Sequence, residues 1–306
     1  MFKLEFFHPR FWPSWLLFGF LALLARLPLS LATRIGAGIG WLISKIAGKR
    51  YEAARINIEL CFPELNRLEQ DELLREHFRF LGVAAIETGL CWFSPKDRLQ
   101  KLLKEIEGEE YLIQALEAGR GVILLSCHFT HLEIGGSLLA SKHPVAAVYE
   151  PIKRNSLFEA VMLRSRNVNT NNRTVDRTNT RGMLRVLRDN LPLWYAPDQN
   201  YRGKFSVFAP FFGIQASTNI ATSRLAKISK APVLPFFQER LKDGSGYRVI
   251  IKPPLEGFPS GSQRDDAKHI NAIFEEEIRR RPAEYLWIHR RFKSRPEGED
   301  PIYPKK

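Results

Sequence analysis

His128 and Glu133, in the run Gly121-Val-Ile-Leu-Leu-Ser-Cys-His-Phe-Thr-His-Leu-Glu133, are the residues whose types and spacing most suggest chemistry. An imidazole can accept a proton near neutral pH, and a carboxylate can fix its tautomer and stabilise the imidazolium that forms. Such a base, acting directly on a bound hydroxyl, needs no Ser or Cys nucleophile. The spacing alone is a weak signal, and an exposed helix-start pair is the bland alternative. Context strengthens it. Val122 to Leu125 reads as a buried strand, and a helical pattern resumes at Leu132, Ile134, Leu138 and Leu139. The base therefore sits past the carboxyl end of a strand, where open α/β sheets hold their ligands.

Further segments bear on that site. Arg164 and Arg166 lie near the end of an expected helix, two positions apart and so on different faces. With Arg154, Arg173, Arg177 and Arg181 they make a cationic group suited to phosphate or carboxylate. Asp198 follows the expected strand Trp194-Tyr-Ala and can reach the His128 site, orienting a hydroxyl or a basic partner; a simple turn cap is the alternative. Phe205, Phe208, Phe211 and Phe212 are candidates to line a hydrocarbon pocket, although aromatic clusters are more often core. Tyr285-Leu-Trp-Ile-His-Arg290-Arg291-Phe-Lys293 sets an apolar face beside cations that suit an anionic substrate. His128-x2-His131 lacks the four-residue His spacing of a helical zinc site, so no metal is expected, and no nucleotide loop or Gly-x-Ser-x-Gly elbow is present.

The elements that must position these residues follow from pattern. Strands are expected at 121–127, 145–149, 192–196, 232–238 and 247–252. Helices are expected at 131–141, 155–167, 180–190, 217–229, 265–280 and 282–292. Their alternation predicts an α/β fold, a mostly parallel or mixed sheet flanked by helices. Residues 51–116 read as helical, 201–217 as an aromatic loop, and the proline-bearing stretch from Ser294 as a mobile tail.

The N-terminus differs from the rest. Phe11 to Ala25 carries no charge, and Glu5 is the sole acid in the first 51 residues against seven Lys and Arg. That uncharged run is shorter than the roughly 20 residues that cross a bilayer. Trp12 and Trp15 suit an interface and the basic flank suits anionic headgroups, so residues 1–50 read as a membrane-anchoring helical segment, spanning or lying in the membrane, and 51–306 as the catalytic domain. Glycines 36, 38 and 40 in the second helix indicate close helix contact or a monolayer-lying segment. The net charge of +13 favours an anionic partner. Cys61, Cys91 and Cys127 form no paired or metal-binding pattern and read as core thiols.

Taken together, His8-Pro-Arg-Phe-Trp12, Asn57-Ile-Glu-Leu-Cys-Phe-Pro63, Glu87-Thr-Gly89 with Trp92-Phe93, His128-x4-Glu133, Trp194-Tyr-Ala-Pro-Asp198 and Tyr285 to Lys293 with Arg295-Pro296 run nearly end to end. In that order they resemble the bacterial lipid A late acyltransferases, closest to the branch that transfers a twelve- or sixteen-carbon chain. The resemblance implies that an acyl chain passes from acyl carrier protein, an acidic protein, to the hydroxyl of a 3-hydroxyacyl chain on Kdo-bearing lipid IVA. It implies His128 as base, Glu133 holding the ring, Arg164 or Arg166 near the site, no cofactor, no nucleic-acid partner, and a place on the cytoplasmic face of the inner membrane. Competing readings are a glycerolipid acyltransferase, which shares a His-x4-Asp logic, and a non-enzymatic basic peripheral membrane protein binding lipid or RNA.

Overall fold

The computed structural model describes residues 3–170 and 173–304, with the backbone alone at 168–170 and 173. After two short 3-10 turns the order is α1 (Trp12–Leu24), α2 (Leu29–Ile46), α3 (Lys49–Cys61), α4 (Arg67–Phe93) and α5 (Lys96–Leu102). Then come β1 (Leu103–Glu107), α6 (Glu109–Glu117), β2 (Val122–Leu125), α7 (Leu132–Ala140), β3 (Ala146–Tyr149), α8 (Ser156–Thr170), β4 (Arg173–Asp176), α9 (Thr180–Arg188) and β5 (Pro192–Tyr195). β6 (Ser206–Phe211), β7 (Ile214–Asn219), α10 (Ala221–Ser229), β8 (Val233–Arg240), β9 (Tyr247–Ile251) and α11 (Gln263–Arg280) complete the order.

Seven strands form one sheet in the order β1-β9-β8-β2-β5-β3-β4. All neighbours are parallel except β8 and β9, so the sheet is mixed, as the alternation of elements predicts. β2 lies at its centre, and its four apolar side chains are all buried. Such a strand is covered on both faces, which is why it reads as continuous rather than alternating apolarity. Ile123 and Leu125 join a core made with α3, α9, α10 and α11. Val122 and Leu124 join a second core with α1, α6, α7 and α8. The long α4, opened by a capping box between Asn66 and Glu69, supplies both cores.

α1 and α2 pack on α4. A Cβ placed on Gly82 would lie 2.0 Å from the Gly36 carbonyl, and one on Gly40 would lie 2.0 Å from that of Phe78. Close backbone approach therefore accounts for Gly36 and Gly40. Gly38 meets nothing within 4 Å. No helix among the described residues is long and apolar enough to cross a membrane.

Four expectations need correction. The stretch 201–217 is no loop: from Ser206 it is the antiparallel hairpin β6–β7, and α10 starts only at Ala221. Residues 282–292 make no helix. A single 3-10 turn at Pro282–Glu284 is followed by an isolated bridge from Tyr285 to Phe129 and then by a run of tight turns. The short strands β1 and β4 stand where no strand is expected, because each is a mostly polar sheet edge without an apolar run. Finally, the C-terminal stretch is packed: Arg295 Nη1 donates to the Gln215 carbonyl, and the buried Tyr303 hydroxyl donates to Asn57 Oδ1.

Candidate active site

β2 and β5 run parallel in a register that pairs Leu125 with Tyr195. His128 and Asp198, each three residues beyond those strand ends, are thereby brought to one place. The Asp198 carboxylate lies 2.6 Å from His128 Nδ1 and also accepts the His128 backbone N–H at 3.0 Å. The Tyr285 hydroxyl donates to the same carboxylate at 3.0 Å. An ionised carboxylate only accepts, so Nδ1 carries a proton, and in the neutral ring Nε2 keeps its lone pair. Among the described residues nothing bonds Nε2, and the imidazole is 27% exposed where it lines a cleft.

Asp198 is 1% exposed. Burial by itself would raise its pKa, but the adjacent imidazole and the three donated hydrogen bonds outweigh that and hold it down at about 2. Burial likewise disfavours charge on His128, and the Asp198 carboxylate more than compensates, so the imidazole's pKa is raised. An imidazole so held can act as a base whose conjugate acid is stabilised in place.

Glu133, expected to hold the imidazole, does something else. It lies in the first turn of α7, after a loop that turns the chain between His128 and Leu132. Its Oε1 accepts Arg166 Nε at 3.1 Å and Trp92 Nε1 at 3.2 Å, while Oε2 accepts the other arm of the guanidinium. Burial opposes ionisation of Glu133, yet Arg166 and Trp92 keep its pKa below the usual value. The ring-holding carboxylate is thus Asp198. A five-residue interval across a loop and a helix start does not place two side chains together, whereas strand register does.

Of the two helix-end arginines, Arg166 reaches this constellation and lines the cleft, while Arg164 projects from the exposed side of α8. Arg177 also lines the cleft and pairs with Glu150 at 2.9 Å. Arg154 and Arg181 are exposed, and the Arg173 side chain lies outside the described residues. His131 is buried, with Nε2 3.0 Å from the Gln238 carbonyl, and takes no part in the cleft.

The cleft measures about 760 Å³. Its apolar walls include Leu132, Val148, Ile152, Met162, Met183, Trp194 and Leu225. Trp194 lies close against α7, where a Cβ on Gly136 would sit 2.1 Å from the indole. Among the phenylalanines expected to line an acyl pocket, none of Phe208, Phe211 and Phe212 faces this cleft. Phe211 and Phe212 are core, packed with Phe62, Tyr285, Trp287 and Phe292, and Phe208 borders a separate polar depression beside Lys293. Phe205 does line the cleft, with the Arg224 guanidinium 3.9 Å from its ring centre.

The C-terminal motif is a brace. Tyr285 bridges Phe129, the Leu286 N–H donates to the His128 carbonyl at 2.9 Å, and the Thr130 N–H donates to that of Glu284 at 2.7 Å. Asn57 in turn holds the Trp287 and His289 carbonyls, each at 2.7 Å. Arg291, expected on an anionic substrate, is 2% exposed and spent on the Ser217 carbonyl and the Thr218 hydroxyl. Arg290 remains partly exposed, over the Tyr303 ring. Tyr285 and Trp92 are site partners that residue type and spacing do not reveal. Both stand in the quoted motifs, but aromatic residues in apolar runs give no sign of a polar role.

Two residues flank the base as potential nucleophiles, Ser126 and Cys127. Both are wholly buried, and burial pushes the Cys127 thiol well up. Neither can receive an acyl group from the cleft as the chain stands.

Comparison with known proteins agrees over nearly the whole length. Residues 1–294 match the family model described as bacterial lipid A biosynthesis acyltransferase. The chain is 40% identical over 304 residues to the lipid A biosynthesis palmitoleoyltransferase of Escherichia coli (strain K12), covering 99% of this chain and 98% of that one. Against the lauroyltransferase of the same organism it is 35% identical over 298 residues, 97% of this chain and 96% of that one. The myristoyltransferase shows 26% over 307 residues, 100% and 94%.

Proposed function

The chain belongs to the bacterial lipid A biosynthesis acyltransferase family, and we propose that His128, held by Asp198, is the base with which it esterifies a hydroxyl of the lipid A precursor. It is an acyltransferase of lipid A biosynthesis. The observation that carries the assignment of the base is the hydrogen bond from Nδ1 to a buried carboxylate, with Nε2 open to an apolar cleft.

The donor is an acyl thioester on acyl carrier protein, and the acceptor a 3-hydroxyacyl chain of Kdo-bearing lipid IVA. Nε2 takes the hydroxyl proton as the oxygen attacks the thioester carbonyl. The C–S bond then breaks, and the imidazolium returns the proton to the departing thiolate. Asp198 stabilises the imidazolium between these two transfers. Burial of Cys127 and Ser126 supports direct transfer without an acyl-enzyme. Glu133 fixes the Arg166 guanidinium at the wall of the cleft, where its charge favours the oxyanion that develops on the carbonyl.

The membrane reading rests on α1 and α2. Leu16, Leu23, Trp41, Leu42 and Ile46 are exposed, beside Arg34 and Lys45. α1, with 13 residues, extends only about 20 Å, well short of a bilayer's hydrocarbon core. These helices lie in the interface of the inner membrane, apolar side inward and cations at headgroup level.

The test is mass spectrometry of lipid IVA after incubation with the protein and a mixture of carrier-protein thioesters, with His128→Ala alongside. A gain of one acyl group with the wild-type protein only is expected. Transfer to lysophosphatidate but not to lipid IVA would replace this reading with the glycerolipid one.

A further inference from the structure

The two helices at one side of the cleft carry cations and no acid. In α9, Arg181, Arg185 and Arg188 are exposed at a spacing of four and three residues, which places them on one face. In α10 and its cap, Arg224, Lys227 and Lys230 are exposed. α9 and α10 pack against each other. Among the described residues none of the six has an ion pair, and the nearest acid in sequence is Asp189, which caps α9. Like charges gathered this way repel, so the patch is a cost to the folded chain unless something anionic covers it. It also borders the site: Thr180, Met183, Arg224, Leu225 and Ile228 from these helices line the cleft that holds His128.

We propose that the α9–α10 surface is the dock for the acidic protein that delivers the acyl thioester, with the chain entering the cleft past Ile228. This rests on the carrier-protein donor assigned above and gives it a place. Composition favours a folded protein over a bilayer. A surface that lies on a membrane interleaves large apolar residues with its cations. Here Ile228 is the one large exposed apolar side chain, and it stands at the cleft. An array of unpaired cations around such a point suits an acidic surface that presents a flexible thioester arm, since rim charges steer and orient more than they bind.

The test compares two donors bearing the same chain, acyl carrier protein and acyl-pantetheine, on wild-type protein and on a variant carrying Arg185→Gln, Arg188→Gln and Lys227→Gln. None of these three side chains lines the cleft. The variant is expected to raise KM for the carrier-protein donor about tenfold at low salt, with the difference shrinking as salt rises. Its rate with acyl-pantetheine should equal that of wild type. An unchanged KM for the carrier donor would overturn the dock, as would equal losses on both donors. Weakened binding to phosphatidylglycerol vesicles with an intact carrier KM would overturn it too and assign the patch to the membrane. Wild-type protein that takes no chain from any carrier donor would instead overturn the donor assignment itself, and this surface with it.

Discussion

The Asp198 carboxylate grips His128 twice, at the ring nitrogen and at the backbone N–H, although the two residues are 70 positions apart. This double contact sets both the tautomer and the direction in which Nε2 points. Asp198→Asn keeps the shape but offers an amide that can donate to Nδ1 and so favour the wrong tautomer. We expect kcat to fall on the order of 10²–10⁴-fold, approaching the effect of His128→Ala, with the fold intact by circular dichroism. A fall of only a few-fold would mean that His128 is not oriented by this contact.

The pH profile should carry the mark of the same pair. Because Asp198 raises the His128 pKa, the base form is lost at a higher pH than for a free imidazole, and activity rises through that raised value. Replacing Asp198 by Asn should move the acid limb to lower pH. For stability the signs are opposite for the two partners. The contribution of His128 is complete below its unfolded pKa and disappears as pH rises through the folded one. That of Asp198 is complete above about 4 and is lost as pH falls toward about 2. Acid unfolding followed on both proteins would check the second window.

Glu133→Gln should cost less than Asp198→Asn, because Glu133 acts through Arg166. The double variant with Arg166→Gln should be no worse than Arg166→Gln alone, measured as kcat/KM in a double-mutant cycle. Additive losses would give Glu133 a role separate from the guanidinium.

Arg291 belongs to the packing of the fold. Arg291→Ala should destabilise by about 2–4 kcal/mol, since it empties a buried site and takes the guanidinium from the Ser217 carbonyl, while the Thr218 hydroxyl keeps Asn271 and the Ala216 carbonyl. KM for an anionic acceptor should be unchanged in whatever protein folds. Arg290→Ala should leave stability within about 0.5 kcal/mol of wild type, and any change it makes in acceptor KM should shrink with salt.

The apolar face of α1 and α2 offers a further check. Leu16→Asp with Leu42→Asp places charge on two side chains exposed in the free protein, so folding should be unaffected. Flotation with phosphatidylglycerol vesicles should show weaker binding. Unchanged flotation would remove these helices from the membrane contact.

Much of this was open to reading from residue order. The central strands are announced by runs such as Val122 to Leu125, because a strand covered on both faces must be apolar throughout. His128 and Asp198 each stand just beyond such a run, where ligands gather, and the family motifs extend from His8 to Pro296 in order. Edges and irregular segments were not legible: β4 has no apolar run, and Tyr285 and Leu286 are held by Phe129 and His128, partners more than 150 positions away.

What residue order determined by itself was therefore the inventory: a base past a strand end, carboxylates and guanidinia near it, and an apolar, basic N-terminus. Pairing within that inventory was decided by tertiary structure. Glu133 is close to His128 in sequence but belongs to the next helix, which turns it toward Arg166 and Trp92. Asp198 is distant in sequence but adjacent in the sheet, because parallel β2 and β5 end level with each other. Local spacing governs contact only within one regular element. Between elements it is register and packing that bring charges within hydrogen-bond reach, and these set which carboxylate holds the ring and which arginine is buried in the core.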